Sequence, residues 1–275
     1  MAILLALMSS LLWGSADFYG GVLSKRLSTY AVVGATQACG FVAISAVILA
    51  TGGFDGSTDW LGWALLAGLS GATGLVLFYA ALATGTMGVV SPIAALGAIV
   101  PVLVALFRGE SPTLLGFVGM AIALAGAVLA SGPELKGETG VRSVLMAAGA
   151  GVCFGLALTA LAYGARRDPL LTLWGMRLTS VLLFTVAALV TRSIGGLVVR
   201  DLPQVALVGL GDTAANLLFG IAATMGMVSL TSVAGSLYPV ATVLLAWLVL
   251  GERMLRVQMV GVVLALIGIS LVALG

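Results

Sequence analysis

The 275-residue chain is 61% hydrophobic and only 8% charged, against roughly 45–50% and about 25% in soluble domains. Its 22 charged side chains could not cover the surface of a water-soluble fold of this length, so the solvent of most of the chain is lipid. Net charge is +2 with no basic run longer than two residues, which gives nucleic acid no surface to bind, and the absence of histidine removes the commonest metal ligand and general base.

A helix crossing the hydrocarbon core needs about 20 apolar residues. Charge, glycine and proline divide the chain into ten segments of that size: 2–22, 29–50, 60–82, 86–107, 112–131, 142–163, 170–191, 203–222, 226–250 and 255–274. They are continuous apolar runs and not the ten-residue alternations of a membrane barrel, so an all-α integral membrane protein with ten transmembrane helices is expected. The first segment lacks a basic leader and contains Asp17, so it reads as a mature helix and not a cleaved signal peptide. Polar connections such as 51–59, 132–140 and 192–202 are too short to hold a soluble domain.

Cys39 and Cys153 fall inside apolar segments and read as small buried hydrophobes. Glycine is frequent, 38 residues, and Gly151 with Gly155, and Gly119 with Ala123 and Ala127, have the small-xxx-small spacing of close helix packing.

The chain repeats itself. "MGVVSPIAALGAIVP" (87–101) returns 138 residues later as "MGMVSLTSVAGSLYP" (225–239) with six of fifteen positions identical. Lys25-Arg26 falls on Arg166-Arg167 and Trp13-Gly14 on Phe154-Gly155 at an offset of 141, while Gly119 falls on Gly261 and Glu110 on Glu252 at 142. The change of offset from 138 to 142 inserts four residues, about one helical turn, between Pro239 and Glu252 relative to Pro101 and Glu110. Two copies, 1–134 and 139–275, are expected. Five spans per copy is an odd number, so the second copy must be inverted, the architecture of many secondary transporters.

The segments "LLWGSADF" (11–18), "SLYPVATVLLAWLVLGERMLRVQMVGVVLALIGISLVAL" (236–274) and its shorter counterpart at 98–130 resemble the drug/metabolite transporter superfamily, specifically its ten-helix EamA-type branch. The resemblance covers essentially the whole chain. It implies a secondary transporter of small metabolites, often an exporter, whose substrates across the superfamily range over amino acids, sugars, nucleotide sugars and drugs. It also implies cytoplasmic termini, whereas the positive-inside count points the other way. Loops after odd-numbered spans carry eight basic residues (Lys25, Arg26, Lys136, Arg142, Arg192, Arg200, Arg253, Arg256), and loops after even-numbered spans carry three (Arg108, Arg166, Arg167). Both orientations stay open. Ten arginines against two lysines, with abundant alanine, glycine and valine, point to a bacterial, GC-rich source and hence an inner-membrane location.

Ionisable groups inside a span are costly and mark candidate sites. Asp17, Arg177 and Asp212 lie eight or nine residues inside their spans, roughly 12–14 Å from a membrane face and within roughly 5 Å of the midplane in depth. Asn216 is one turn from Asp212. Two arrangements follow: Arg177 pairs with one aspartate while the other exchanges a proton, or the pair is purely structural and the other carboxyl faces water or a hydroxyl. Gln37, Trp13, Tyr19, Tyr79, Ser91 and Ser229 are further candidates for lining a cavity, and Pro101 and Pro239 should kink their helices at matching places in the two copies. Glu110 and Glu252 read as capping and interfacial anchors, with a gating role as the alternative.

The function expected is therefore secondary transport of a small metabolite, amino acid or drug by alternating access, with proton-coupled export as one form of it, and with no cofactor and no metal. A channel or lipid-moving protein shares this composition. An integral membrane enzyme fits worst, because no histidine and no cluster of metal ligands or nucleophiles is present to carry chemistry.

Overall fold

The computed structural model describes residues 1–24, 26–54, 57–84, 87–131, 140–193, 195–250 and 255–274. Lys25, Lys136, Glu252 and Arg253 lie outside these, so the anchoring role expected of Glu252 is without a structural account.

Every long element among the described residues is helical: α1 (Ala2–Ser24), α2 (Thr29–Thr51), α3 (Leu61–Thr84), α4 (Met87–Ala95), α5 (Ile99–Phe107), α6 (Leu114–Ser131), α7 (Val141–Ala165), α8 (Pro169–Thr191), α9 (Leu202–Met225), α10 (Val228–Gly235), α11 (Tyr238–Leu250) and α12 (Arg256–Leu274). Seven of them are long and apolar enough to cross a membrane, and two further apolar helices, Ile93–Phe107 and Leu114–Ala130, are shorter.

Local chemistry sets the boundaries. Ser28 caps α2, its hydroxyl accepting the Ala31 N–H at 3.3 Å, and Gly52 closes the same helix in the left-handed conformation. Asp168 caps α8 by accepting the Leu171 N–H at 2.8 Å, with Pro169 in the first turn where its missing N–H costs nothing.

Both expected proline kinks coincide with interruptions of the α-helix, and at the first the backbone stays in the right-handed helical region, so that Ile93–Phe107 still runs as one apolar helix. A 3₁₀ turn, Leu96–Ala98, separates α4 from α5, and Ser236-Leu237 separate α10 from α11. Each break lies just upstream of its proline because the ring of Pro101 or Pro239 would meet the carbonyl four residues earlier, at Gly97 or Gly235. Downstream of these points α5 has nine residues, Ile99–Phe107, and α11 is described over thirteen, Tyr238–Leu250; the one-turn difference expected from the sequence ends on Glu252, outside the described residues.

The interior is mainly apolar, as in a soluble protein, but the exterior is apolar as well. Leu49, Leu182, Val186 and Leu266 are exposed, while Gln37, Arg177 and Asn216 are buried. The main seams occur in matched sets: α3 packs on α7 as α1 packs on α9, α3 on α8 as α2 on α9, and the broken helix α4–α5 on α7 as α10–α11 on α1. The closest seams need small residues. A Cβ on Gly155 would meet the Gly97 carbonyl and lie 2.6 Å from Val100, and one on Gly126 would lie 2.7 Å from Ala265 Cα. The contacts of α7 with the 3₁₀ turn and α5, and of α6 with α12, are therefore close approaches onto backbone, as the small-residue spacing predicts.

Candidate functional site

Arg177 sits midway along α8 with about 1% of its side chain exposed, and its Nη1 lies 2.8 Å from Asp212 Oδ2 on α9. A buried cation requires such a partner. Room for the guanidinium comes from Gly40 on α2, where a Cβ would meet Thr213 and lie 3.3 Å from Arg177 Nε. Gln37, one turn before Gly40, bridges the pair: Arg177 Nη1 donates to Gln37 Oε1, and Gln37 Nε2 donates to Asp212 Oδ2 at 3.5 Å. Asn216 completes the shell, its Nδ2 donating to Asp212 Oδ1 at 3.0 Å and to the Asp212 carbonyl at 2.7 Å. Three helices thus hold one carboxylate–guanidinium pair in a fixed geometry.

Asp17 stands apart from this pair. It accepts a hydrogen bond from the Tyr79 hydroxyl at 3.5 Å. Gly20 makes the approach of α3 possible, since a Cβ there would collide with that hydroxyl. Among the described residues Asp17 has no ion-pair partner.

Both groups line a cavity of about 80 Å³, whose walls include Trp13, Asp17, Gln37, Arg177, Asp212 and Asn216. Trp13, one turn before Asp17, also packs on Phe219 with ring centroids 5.6 Å apart. Ten further wall residues, Phe154, Leu158, Met176, Ser236 and Tyr238 among them, were not anticipated. Two of them carried a signal: Phe154 and Leu158 are the repeat counterparts of Trp13 and Asp17 at the 141-residue offset.

Several expected lining residues lie elsewhere. Tyr19 is two residues beyond Asp17, on another side of α1, and it opens onto a separate surface cleft beside Arg26 and Gln204. Tyr79 touches Asp17 without being part of the cavity wall as far as the lining extends. Ser91 is buried in α4 away from the cavity. Ser229 instead serves Glu110, whose Oε1 accepts the Val228 N–H at 2.8 Å and whose Oε2 accepts the Ser229 N–H at 3.0 Å and its hydroxyl at 2.8 Å. Glu110 therefore caps α10, a helix of the other half of the chain. Arg166 lies 3.5 Å from the same carboxylate, and Arg108 stacks 4.4 Å from the centre of the Tyr163 ring.

A family model described as the EamA-like transporter family matches the chain twice, over residues 1–132 and 141–274. The chain belongs to this EamA-like family. It is accordingly a multi-pass membrane protein of a transporter family. Among solved structures, one titled "Crystal structure of protein" is similar to the EamA-like chain, with a TM-score of 0.81 and 21% identity over 99% of this chain and 96% of the other. That likeness is one of fold. No curated protein matches.

Proposed function

We propose that the chain is a secondary transporter that moves a small metabolite, amino acid or drug across a bacterial inner membrane by alternating access, with Asp17 as the proton-exchanging group. The observation that carries this reading is the division of labour in the cavity: Asp212 is committed to Arg177 at 2.8 Å, while Asp17 faces the same cavity with a single tyrosine hydroxyl as partner. A carboxylate that a guanidinium already satisfies has little reason to take up a proton, and one without a cation can take it up and release it as water reaches the cavity.

The architecture proposed is ten spans in two inverted copies, 1–134 and 139–275, with α4–α5 and α10–α11 as the fourth and ninth spans. Two observations support it. The family model matches each half separately, and the packing seams exchange with one another when the halves are interchanged. The cavity lies where α1 and α2 of the first half meet α7, α8 and α9 of the second, the usual place for a substrate in such a fold.

The test is pH-gradient-driven uptake of labelled amino acids and metabolites in reconstituted vesicles. Asp17→Asn should abolish gradient-driven movement while leaving counterflow exchange, and Asp212→Asn should impair both. If substrate moves and Asp17→Asn responds to the gradient as wild type does, proton coupling through this residue is wrong.

A further inference from the structure

The loops after even-numbered spans carry only three basic residues, Arg108, Arg166 and Arg167. Cations that serve only to anchor a bundle at the membrane surface can stand anywhere around its rim. Here all three line one cleft of about 300 Å³, whose wall Trp63, Glu110 and Tyr163 complete. Arg108 follows α5 and the other two follow α7, so turns from both halves of the chain converge there.

The charges in this cleft do not cancel. Arginine stays protonated at any working pH. Even with a full negative charge on Glu110, three guanidinia against one carboxylate leave an excess of two positive charges. Asp59 lies 4.0 Å from Arg167, but both side chains are more than half exposed, and such a pair contributes little. Glu110 is already committed to two N–H groups of α10 and the Ser229 hydroxyl. Arg166 is committed too, its Nε donating to the Ala223 carbonyl at 3.2 Å and its Nη2 to the Gly226 carbonyl at 3.3 Å.

Arg108 is the exception. Among the described residues no carboxylate pairs with it, and its guanidinium lies over two rings, 4.4 Å from the centre of Tyr163 and 5.7 Å from that of Trp63. Stacking orients a guanidinium and leaves the N–H groups at its edge for a bidentate acceptor. The repeat counterpart of Arg108 is Leu250 at the 142-residue offset, so the fold itself does not require a cation at this place. Tyr163, which both Arg108 and Arg166 overlie, is 6% exposed, and its hydroxyl has no hydrogen-bond partner. Buried hydroxyls left unpaired are uncommon.

We propose that this cleft binds a phosphate group, with Arg108 as its main contact and Arg167 as its second. A phosphate presents oxygens in several directions, so guanidinia from two turns can share it, whereas a carboxylate offers two oxygens in one plane. A soluble phosphate ester and the head group of an anionic phospholipid supply the same chemistry. The site is separate from the cavity of Asp17 and Arg177, and it stands or falls independently of transport.

The experiment uses the full chain, stripped of lipid in a neutral detergent. It is titrated calorimetrically with glycerol 3-phosphate and with glycerate, the carboxylate analogue. Retention of added phosphatidylglycerol or phosphatidylcholine is read by native mass spectrometry. A soluble source gives saturable one-to-one binding of glycerol 3-phosphate, at least fivefold tighter than glycerate. A lipid source gives retention of phosphatidylglycerol over phosphatidylcholine, whose choline cation would face the same arginines, without binding of the soluble ester. From either source, Arg108→Gln should weaken binding at least fivefold and Arg167→Gln at least twofold. Arg142→Gln, an exposed arginine at the other end of α7, should leave it unchanged. Should Arg108→Gln not fold, Arg108→Lys keeps the charge and loses the planar fork, and at least a threefold loss is expected of it. Binding of neither phosphate probe, or of glycerate as tightly as the ester, overturns the proposal. Equal losses in Arg108→Gln and Arg142→Gln also overturn it, since diffuse surface charge then explains the binding.

Discussion

Arg177 and Asp212 form the part of the site with the sharpest energetic consequence. Replacing one member of a buried pair leaves the other charge uncompensated, at a cost of about 3–5 kcal/mol. The Asp212 side chain is 15% exposed, so the lower end of that range applies to Arg177→Met. Arg177→Met should lower the thermal unfolding midpoint of the detergent-solubilised protein by several degrees, and the double variant Arg177→Met/Asp212→Leu should recover much of the loss. Additive losses in the double variant would mean that the pair is not what holds α8 to α9. The sequence placed these two residues and Asp17 at one depth, because depth follows from counting residues along a helix. It could not say which aspartate Arg177 takes, since lateral distance depends on which helices are neighbours. Gly40 decides that: it clears the space for the guanidinium beside Thr213 on α9. Tyr19 was misplaced for a related reason, since proximity to Asp17 in the chain says nothing of the side of α1 on which a residue projects.

At the scale of the element, the fold depends on a few backbone-to-backbone seams. Gly155 packs on the break between α4 and α5, where a Cβ would meet the Gly97 carbonyl and lie 2.6 Å from Val100. Backbone cannot yield as a flexible side chain can. Gly155→Val should therefore cost about 1–3 kcal/mol or more from overpacking, seen as loss of the monodisperse peak on size-exclusion chromatography. Gly211 on α9 is the control, since a Cβ there meets nothing within 4 Å. Gly211→Ala should leave the peak intact and gain roughly 0.5–1 kcal/mol from the reduced backbone entropy of the unfolded chain. If both substitutions behave alike, the close approach at Gly155 is not what positions the broken helix. Most element boundaries were legible, because apolar runs ended by Ser28, Asp168 or glycine leave little choice. The prolines announced an interruption in the right helices, but its form was not legible. Whether a proline bends a helix or breaks it depends on what the neighbouring helix offers the freed carbonyl.

At the scale of the molecule, the proposed transport cycle has two polar contacts to open, one toward each end of the cavity. On one face Arg26, at the end of α1, meets Asp201, before α9, at 3.0 Å, the arginine half exposed and the aspartate buried, and Arg26 also donates to Gln204. On the other face Glu110 binds two backbone N–H groups and a hydroxyl at the start of α10, and charge-assisted bonds to a helix N-terminus are stronger than neutral ones. The far end of α10 supplies Gly235, and the break after it supplies Ser236, to the cavity wall. A displacement of this eight-residue helix would thus open the cavity and release Glu110 in one motion. Alternating access through this face requires the release. In a background with Cys39 and Cys153 replaced by alanine, Glu110→Cys/Ser229→Cys joined by a short bifunctional thiol reagent should stop transport while leaving substrate binding measurable. Each single cysteine variant, treated in the same way, should keep transporting. Glu110→Gln separates the two roles of the carboxylate: it keeps an acceptor for α10 and loses the charge, so exchange should quicken if release is the slow step and stay unchanged if opening occurs elsewhere. Transport that survives the cross-link would place the moving element on the Arg26–Asp201 face.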